Sequence, residues 1–110
     1  MKPDETGPAK RVTIYFEDGE TFNGRALHKV LVELLMKRKV RGATIIRGIG
    51  GFGHDGILHS AKLLTLTESL PVKIEFVETA EKVDAIIPEL KQVIKRGLVD
   101  VSDTVVVHAG

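Results

Sequence analysis

The sequence predicts an α+β domain whose elements run β-α-β-β-α-β. Three observations carry this reading. Two stretches, "RALHKVLVELLMKRK" (25–39) and "TAEKVDAIIPELKQVIK" (79–95), repeat apolar residues at helical spacing. Four shorter stretches are β-branched or alternating and are bounded by Gly, Pro, Asn and charged turns. Their order along the chain suits a split β-α-β layout, with four antiparallel strands and both helices on one face.

The elements follow in turn. Residues 1–10 hold two prolines, a glycine and four charges, and are expected to form a mobile tail ahead of a domain over 11–110. In "RVTIYF" (11–16), Val12, Ile14 and Phe16 share one face of a first strand. "EDGETFNG" (17–24) is loop chemistry, with Asn23 a candidate N-cap for the helix that follows. In that helix Leu27, Val30, Leu31, Leu34 and Leu35 form the apolar stripe, and Lys37, Arg38 and Lys39 crowd the C-terminal end, where the dipole favours cations. "ATIIRGI" (43–49) reads as the second strand and "LPVKIEFVE" (70–78) as the third. Thr79 is the candidate cap of the second helix; Val83, Ile86, Ile87, Leu90 and Ile94 form its buried stripe, and Pro88 should kink it. "LVDVSDTVVVH" (98–108) is the fourth strand, with Val99 and Val101 on one face. This is the ferredoxin-like order. Helices on one face leave the other open, so contacts between copies of the chain are expected to cover Ile46, Val77 and their neighbours.

Composition narrows the function classes. The 110 residues allow one domain, and at 43% hydrophobic the chain can bury a core. Sixteen basic against fifteen acidic residues give a formal charge of +1, too little field for a protein whose main partner is nucleic acid. Absence of cysteine excludes disulfides, thiolate metal sites and cysteine nucleophiles. No run approaches the ~20 apolar residues of a membrane span, and a signal-peptide pattern is absent from the first residues, so a cytoplasmic protein that is not membrane-embedded is expected. Ser60, Ser69 and Ser102 lack an elbow context, and no two carboxylates are brought together by spacing. A non-enzymatic role is expected.

The segment "RGIGGFGHDGILH" (47–59) concentrates five glycines and two histidines. Gly48, Gly50 and Gly53 satisfy the letters G-x-G-x-x-G, but Gly56 interrupts any helix at the third glycine and too little chain follows for a doubly wound sheet. A hairpin needs about two to five loop residues; this connection runs to about twenty, a length that is usually functional or disordered. Glycines let the main chain approach a ligand closely, and successive N–H groups form anion-binding nests. Arg47 at the base of the segment can hold a phosphate in a bidentate manner. Lys95, Arg96 and Gly97, a basic helix end closed by glycine, can lie near the exit of the second strand and add charge to the same pocket. His54 and His59, with Asp55 between them, offer a weaker pattern for metal ligation.

"RGIGGFGHDGILH", "NGRALHKVLVELLMKRKVRGATIIRG", "LTESLPVKIEFVETAEKVDAIIPEL" and "GLVDV" together resemble the PII-like family known as domain of unknown function 190. The resemblance spans about residues 11–107 and implies a ferredoxin-like subunit assembled as a trimer. It further implies that the glycine-rich segment corresponds to the T-loop of PII proteins. There an adenine nucleotide sits between subunits, against the base of that loop and the turn from the second helix into the fourth strand. Carried onto this chain, those positions are Arg47, Gly48, Gly50, Gly51, Phe52 and Gly53, with Lys95, Arg96 and Gly97. The chain departs from the tyrosine pattern of PII proteins proper: its only tyrosine is Tyr15, in the first strand, so modification of a loop tyrosine is not expected.

These readings combine into one expectation. The chain is a homotrimeric PII-like regulator that binds a small anionic ligand, ATP, ADP, AMP or a related nucleotide, and has no obligatory cofactor. Arg47 supplies phosphate charge, Gly50, Gly51 and Gly53 supply N–H groups, Lys95 and Arg96 add charge, and His54 and His59 contact phosphate or a bound metal. Binding switches the glycine-rich loop and so presents or withdraws a surface for a regulated protein such as a transporter. The alternative is a metal-binding trimer resembling the divalent-cation-tolerance proteins, with His54, Asp55 and His59 as ligands.

Overall fold

A computed structural model describes residues 6–52, 59–60 (main chain only) and 70–110. A four-stranded antiparallel sheet is formed by β1 (Gly7–Glu17), β4 (Thr44–Arg47), β7 (Pro71–Glu78) and β8 (Leu98–Val106), in the spatial order β4-β7-β1-β8. Two short hairpins lie beside it: β2 (Thr21–Phe22) with β3 (Arg25–Ala26), and β5 (Gly50–Gly51) with β6 (His59–Ser60). The helices are α1 (Leu27–Lys37) and α2 (Ala80–Val93). The main elements reproduce the ferredoxin-like order.

Register assigns the faces. Ile14 pairs with Ile74 on one side and Val99 on the other, and Ile45 pairs with Ile74. Directly opposed residues share a face, so this row points toward the helices. Val12, Ile14, Phe16, Val72, Ile74 and Phe76 are buried there against Leu27, Leu31 and Leu35 of α1 and Val83, Ile86, Leu90 and Val93 of α2. The sequence stripes are thus the core stripes, with Val30, Leu34 and Ile87 half-buried at their margins. Ile94 lies just past α2 in an extended conformation. The opposite face carries Thr13, Tyr15, Ile46, Lys73, Glu75 and Leu98 in adjacent rows, and neither α1 nor α2 covers it.

Two boundaries differ from expectation for physical reasons. The first strand begins at Gly7, not Arg11, because β8 is long enough to pair Gly7 with Val106 and Ala9 with Thr104; Ala9 is buried. Residues 7–10 therefore belong to the sheet and not to a tail. Asn23 does not cap α1. It and Gly24 are the central residues of the β2–β3 hairpin, with φ of 51° and 79°, the left-handed pair that a two-residue hairpin turn requires. The cap position of α1 is Ala26, without a side-chain bond; instead the Leu27 N–H donates to the Glu20 carbonyl at 2.9 Å. Thr79 does cap α2, accepting from the Lys82 N–H at 3.3 Å. Pro88 lies inside α2.

Charged groups fasten the helices to the rest. Glu78, fully buried, accepts the Arg41 N–H at 2.8 Å and lies 3.8 Å from the Lys82 ammonium. Lys82 also donates to the Lys39 carbonyl at 3.0 Å. The turn between α1 and β4 is thereby pinned to the first turn of α2. Beside them Arg38, the C-cap of α1, grips Glu89 of α2 with both arms of its guanidinium, the Nε bond measuring 2.8 Å.

Two outcomes test this packing. Leu90 is fully buried between sheet and helix, so Leu90→Ala should lower unfolding free energy by about 2–5 kcal/mol in urea titrations. The Arg38 hydrogen bond holds the Glu89 carboxyl below its ordinary value of 4.5. A depressed folded value means that this stabilisation is present above 4.5 and is lost as pH falls through the folded value. The gap in melting temperature between wild type and Glu89→Gln should therefore narrow as the medium is acidified below 4.5, and should shrink with added salt.

Candidate functional site

The uncovered face ends in a cavity of about 560 Å³. Its floor is the end of β1: Tyr15, opposite Leu98 of β8, and Glu17, opposite Pro71 of β7. The turn from α2 into β8 forms one wall with Lys95, Arg96 and Gly97, and β5 forms another with Gly50 and Gly51, followed by Phe52. Glu20 closes the rim. The two stretches that the sequence singles out, more than forty residues apart, thus line one cavity.

Gly97 fixes this geometry. Its φ is +134°, and a Cβ there would collide with the Tyr15 carbonyl oxygen and lie 3.4 Å from Phe16 Cβ. Only glycine lets the turn cross β1 so closely. Lys95 and Arg96 ride on that crossing and remain exposed. On the other side the base of the glycine-rich segment is fastened to β7: the Gly48 N–H donates to the Pro71 carbonyl at 2.7 Å, and a Cβ on Gly48 would come within 2.8 Å of the proline ring. Gly50 and Gly51 pair with Ser60 and His59. In such an antiparallel pair the N–H and C=O groups of one residue point at the partner strand and those of its neighbour point away.

Arg47 is placed differently. Its guanidinium pairs with the Asp18 carboxylate, outside the residues that line the cavity. Asp18 in turn donates its N–H to the Leu70 carbonyl at 2.9 Å. Arg47 therefore ties β4 to the turn after β1, at the foot of the segment that carries the glycines. Gly53, His54 and Asp55 lie outside the described residues, and of His59 only the main chain is described. Among the described residues no three His, Asp or Glu side chains converge as metal ligands. Sequence reasoning did not find Tyr15, Glu17, Glu20, Pro71 and Leu98. Four of them meet only through strand register, which no local pattern encodes. Glu17 and Glu20 could have been suspected from "EDGE", a turn directly after an apolar strand.

Two of the solved structures to which this chain is similar are described as PII-like. Over 93% of the present chain and 91% of its own, a nitrogen regulatory PII-like protein from Thiomonas intermedia K12, bound to ADP, AMP and bicarbonate, superposes with a TM-score of 0.65 at 22% identity. A PII-like chain from Thermus thermophilus gives a TM-score of 0.67 at 22% identity, covering 94% and 93% of the two chains. The profile of domain of unknown function 190, described as "Uncharacterized ACR, COG1993", matches residues 9–106, and the chain belongs to this family. Its relatives include a UPF0166 protein of Methanocaldococcus jannaschii, 34% identical over 86% of this chain and 88% of that one. A second, from Aquifex aeolicus, is 32% identical over 90% and 93%. No helix among the described residues is long and apolar enough to cross a membrane.

The crossing at Gly97 is directly testable. Gly97→Ala should cost at least about 1–3 kcal/mol from backbone conformation alone, with the clash in addition. Gly42→Ala, where a Cβ meets nothing within 4 Å, should stay within about 0.5 kcal/mol. Equal losses in chemical denaturation of the two variants would contradict the close approach.

Proposed function

We propose that the chain is a PII-like regulator that binds an adenine nucleotide, ATP, ADP or AMP, in the cavity at the end of the sheet. One observation carries this: Gly50–Phe52 and Lys95–Gly97 converge on one volume that contains exposed main chain, two cations and an aromatic ring. Some 560 Å³ is the size of a site for an organic ligand, well beyond what a lone inorganic anion needs. Lys95 and Arg96 take phosphate oxygens, Arg96 with the option of two parallel bonds. An N–H of the glycine strand that points away from its partner supplies a neutral donor that needs no counter-charge. Tyr15, Leu98 and Phe52 give the base an apolar surface. The Thiomonas protein, bound to ADP, AMP and bicarbonate, supports the same ligand class and makes bicarbonate the first small anion to add alongside.

The switch in this reading is Arg47. Its pairing with Asp18 is an internal carboxylate contact at the foot of the glycine segment; Arg47 does not line the cavity in this state, and in this reading it leaves Asp18 for a ligand phosphate when the nucleotide binds. Exchange of one anion for the other releases the turn after β1 and resets the segment beyond Gly48, which then faces a regulated protein such as a transporter. The fold-level likeness to PII-like proteins supports a trimer, as do the exposed apolar residues at both sheet edges, Ile45 and Ile46 at β4 and Val101 and Val105 at β8. No observation on the described residues favours the cation-binding reading on His54, Asp55 and His59.

Calorimetry with ATP, ADP and AMP, each with and without bicarbonate, tests the proposal. Saturable heat is expected with at least one nucleotide, weakened tenfold or more in the Lys95→Ala/Arg96→Ala double variant. Absence of heat with all three, or unchanged affinity in that variant, would overturn it. Light scattering should give a mass three times that of one chain.

A further inference from the structure

One proline ring abuts the glycine strand at two points. Arg47 pairs with Val72 at the last rung of the β4–β7 ladder. One residue further on, the Gly48 N–H donates to the Pro71 carbonyl at 2.7 Å. A Cβ on Gly48 would lie 2.8 Å from Pro71 Cγ, and a Cβ on Gly51 would lie 3.5 Å from the same atom. The first distance is well below the roughly 3.5–4.0 Å of carbon atoms in contact. The next nearest atoms, the carbonyl oxygens of Pro71 and Gly50, stand off at 3.5 and 3.7 Å, so the ring is what bars a side chain at position 48. Gly48 does not have a positive φ, so its main chain would accept alanine. A proline ring is closed onto its own main chain and cannot swing aside as an open side chain does. The glycine strand therefore rests on a rigid spacer.

Pro71 also lines the cavity, with Gly50, Gly51 and Phe52 on its side and Lys95, Arg96 and Gly97 on the other. Two separate close approaches thus set the two walls. Gly97 against the Tyr15 carbonyl places the cations, and Gly48 against the Pro71 ring places the glycine strand. The separation of the walls decides whether one ligand reaches main-chain N–H groups and cations together. Binding groups work only when their supports hold them to within a fraction of an ångström. We propose that Pro71 is a positioning residue for the nucleotide: its ring holds the Gly50–Phe52 main chain at the distance from Lys95 and Arg96 that the ligand spans. The proposal rests on the nucleotide reading above and adds to it what fixes the width of the site.

The test is a double-variant cycle read by calorimetry with ADP, on wild type, Gly48→Ala, Pro71→Ala and the two combined, at a temperature where thermal melting shows each folded. Gly48→Ala drives a methyl group against the ring and pushes the strand outward; ADP affinity should fall by about tenfold or more. Pro71→Ala removes the ring atom that the strand rests on, and affinity should fall by about threefold or more. In the combined variant the new methyl group takes up the space left by the ring, and affinity should return to within about threefold of wild type. A ring that acted only by touching the ligand would give losses that add, so a combined variant as weak as the sum of the two would overturn the proposal. Unchanged ADP affinity in Gly48→Ala or in Pro71→Ala would also overturn it. Should Gly48→Ala fail to fold, Pro71→Ala is compared with the combined variant, and binding no tighter in the latter overturns the proposal. In each of these cases nucleotide binding by the wild type still stands. Absence of ADP binding by wild type would overturn both readings together.

Discussion

The crossing of β1 by the turn at Gly97 is the constraint on which the site depends. β1 has partners on both sides, β7 and β8, so its main-chain groups are committed along most of its length. At its end the turn at Gly97 crosses its main chain at a distance that leaves no room for a Cβ. That approach sets where β8 begins, which sets the register of Leu98 opposite Tyr15. It also carries Lys95 and Arg96 to the cavity wall. A bulkier turn would move the cations away from the sheet end and open the cavity to solvent. Conformational freedom at one residue is thereby converted into fixed charge placement at its neighbours.

Much of the fold was legible because its periodicities are clean. The stripes Leu27–Leu31–Leu35 and Val83–Ile86–Leu90 name the buried helix positions, and the alternation through Val72, Ile74 and Phe76 names the sheet's inner row. Local chemistry misled where two motifs competed for the same letters. Asn23 before an apolar run suits a helix cap, but Asn23-Gly24 between Thr21–Phe22 and Arg25–Ala26 is a stronger hairpin turn. The start of β1 was hidden for another reason. Gly7, Pro8 and Lys10 have weak strand preference, and their place in the sheet comes from the far end of β8, about ninety residues on. Tertiary pairing overrides propensity there. The site was half visible for the same reason. Glycines and cations announce themselves in sequence, whereas Tyr15, Glu17 and Leu98 become neighbours only once the register is known.

Electrostatics in this protein are arranged locally. A formal charge of +1 over 110 residues gives no long-range field. Yet opposite charges are placed at particular joints: Arg47 with Asp18 under the glycine segment, Arg38 with Glu89 between the helices, and Glu78 with Lys82 under the turn into β4. The cavity follows the same arrangement, with cations on one wall and carboxylates at another. A ligand there meets a pattern of charge in place of an excess, and a patterned site discriminates by shape and donor count more than by net charge.

The aromatic inventory has a spectroscopic consequence. The chain has a single tyrosine and no tryptophan, and that tyrosine, Tyr15, forms part of the cavity floor. All phenolic emission from the protein therefore originates at one wall of one site, with no indole signal to mask it. Occupancy of the cavity alters the polarity and stacking around that ring, so the unlabelled protein carries its own optical probe.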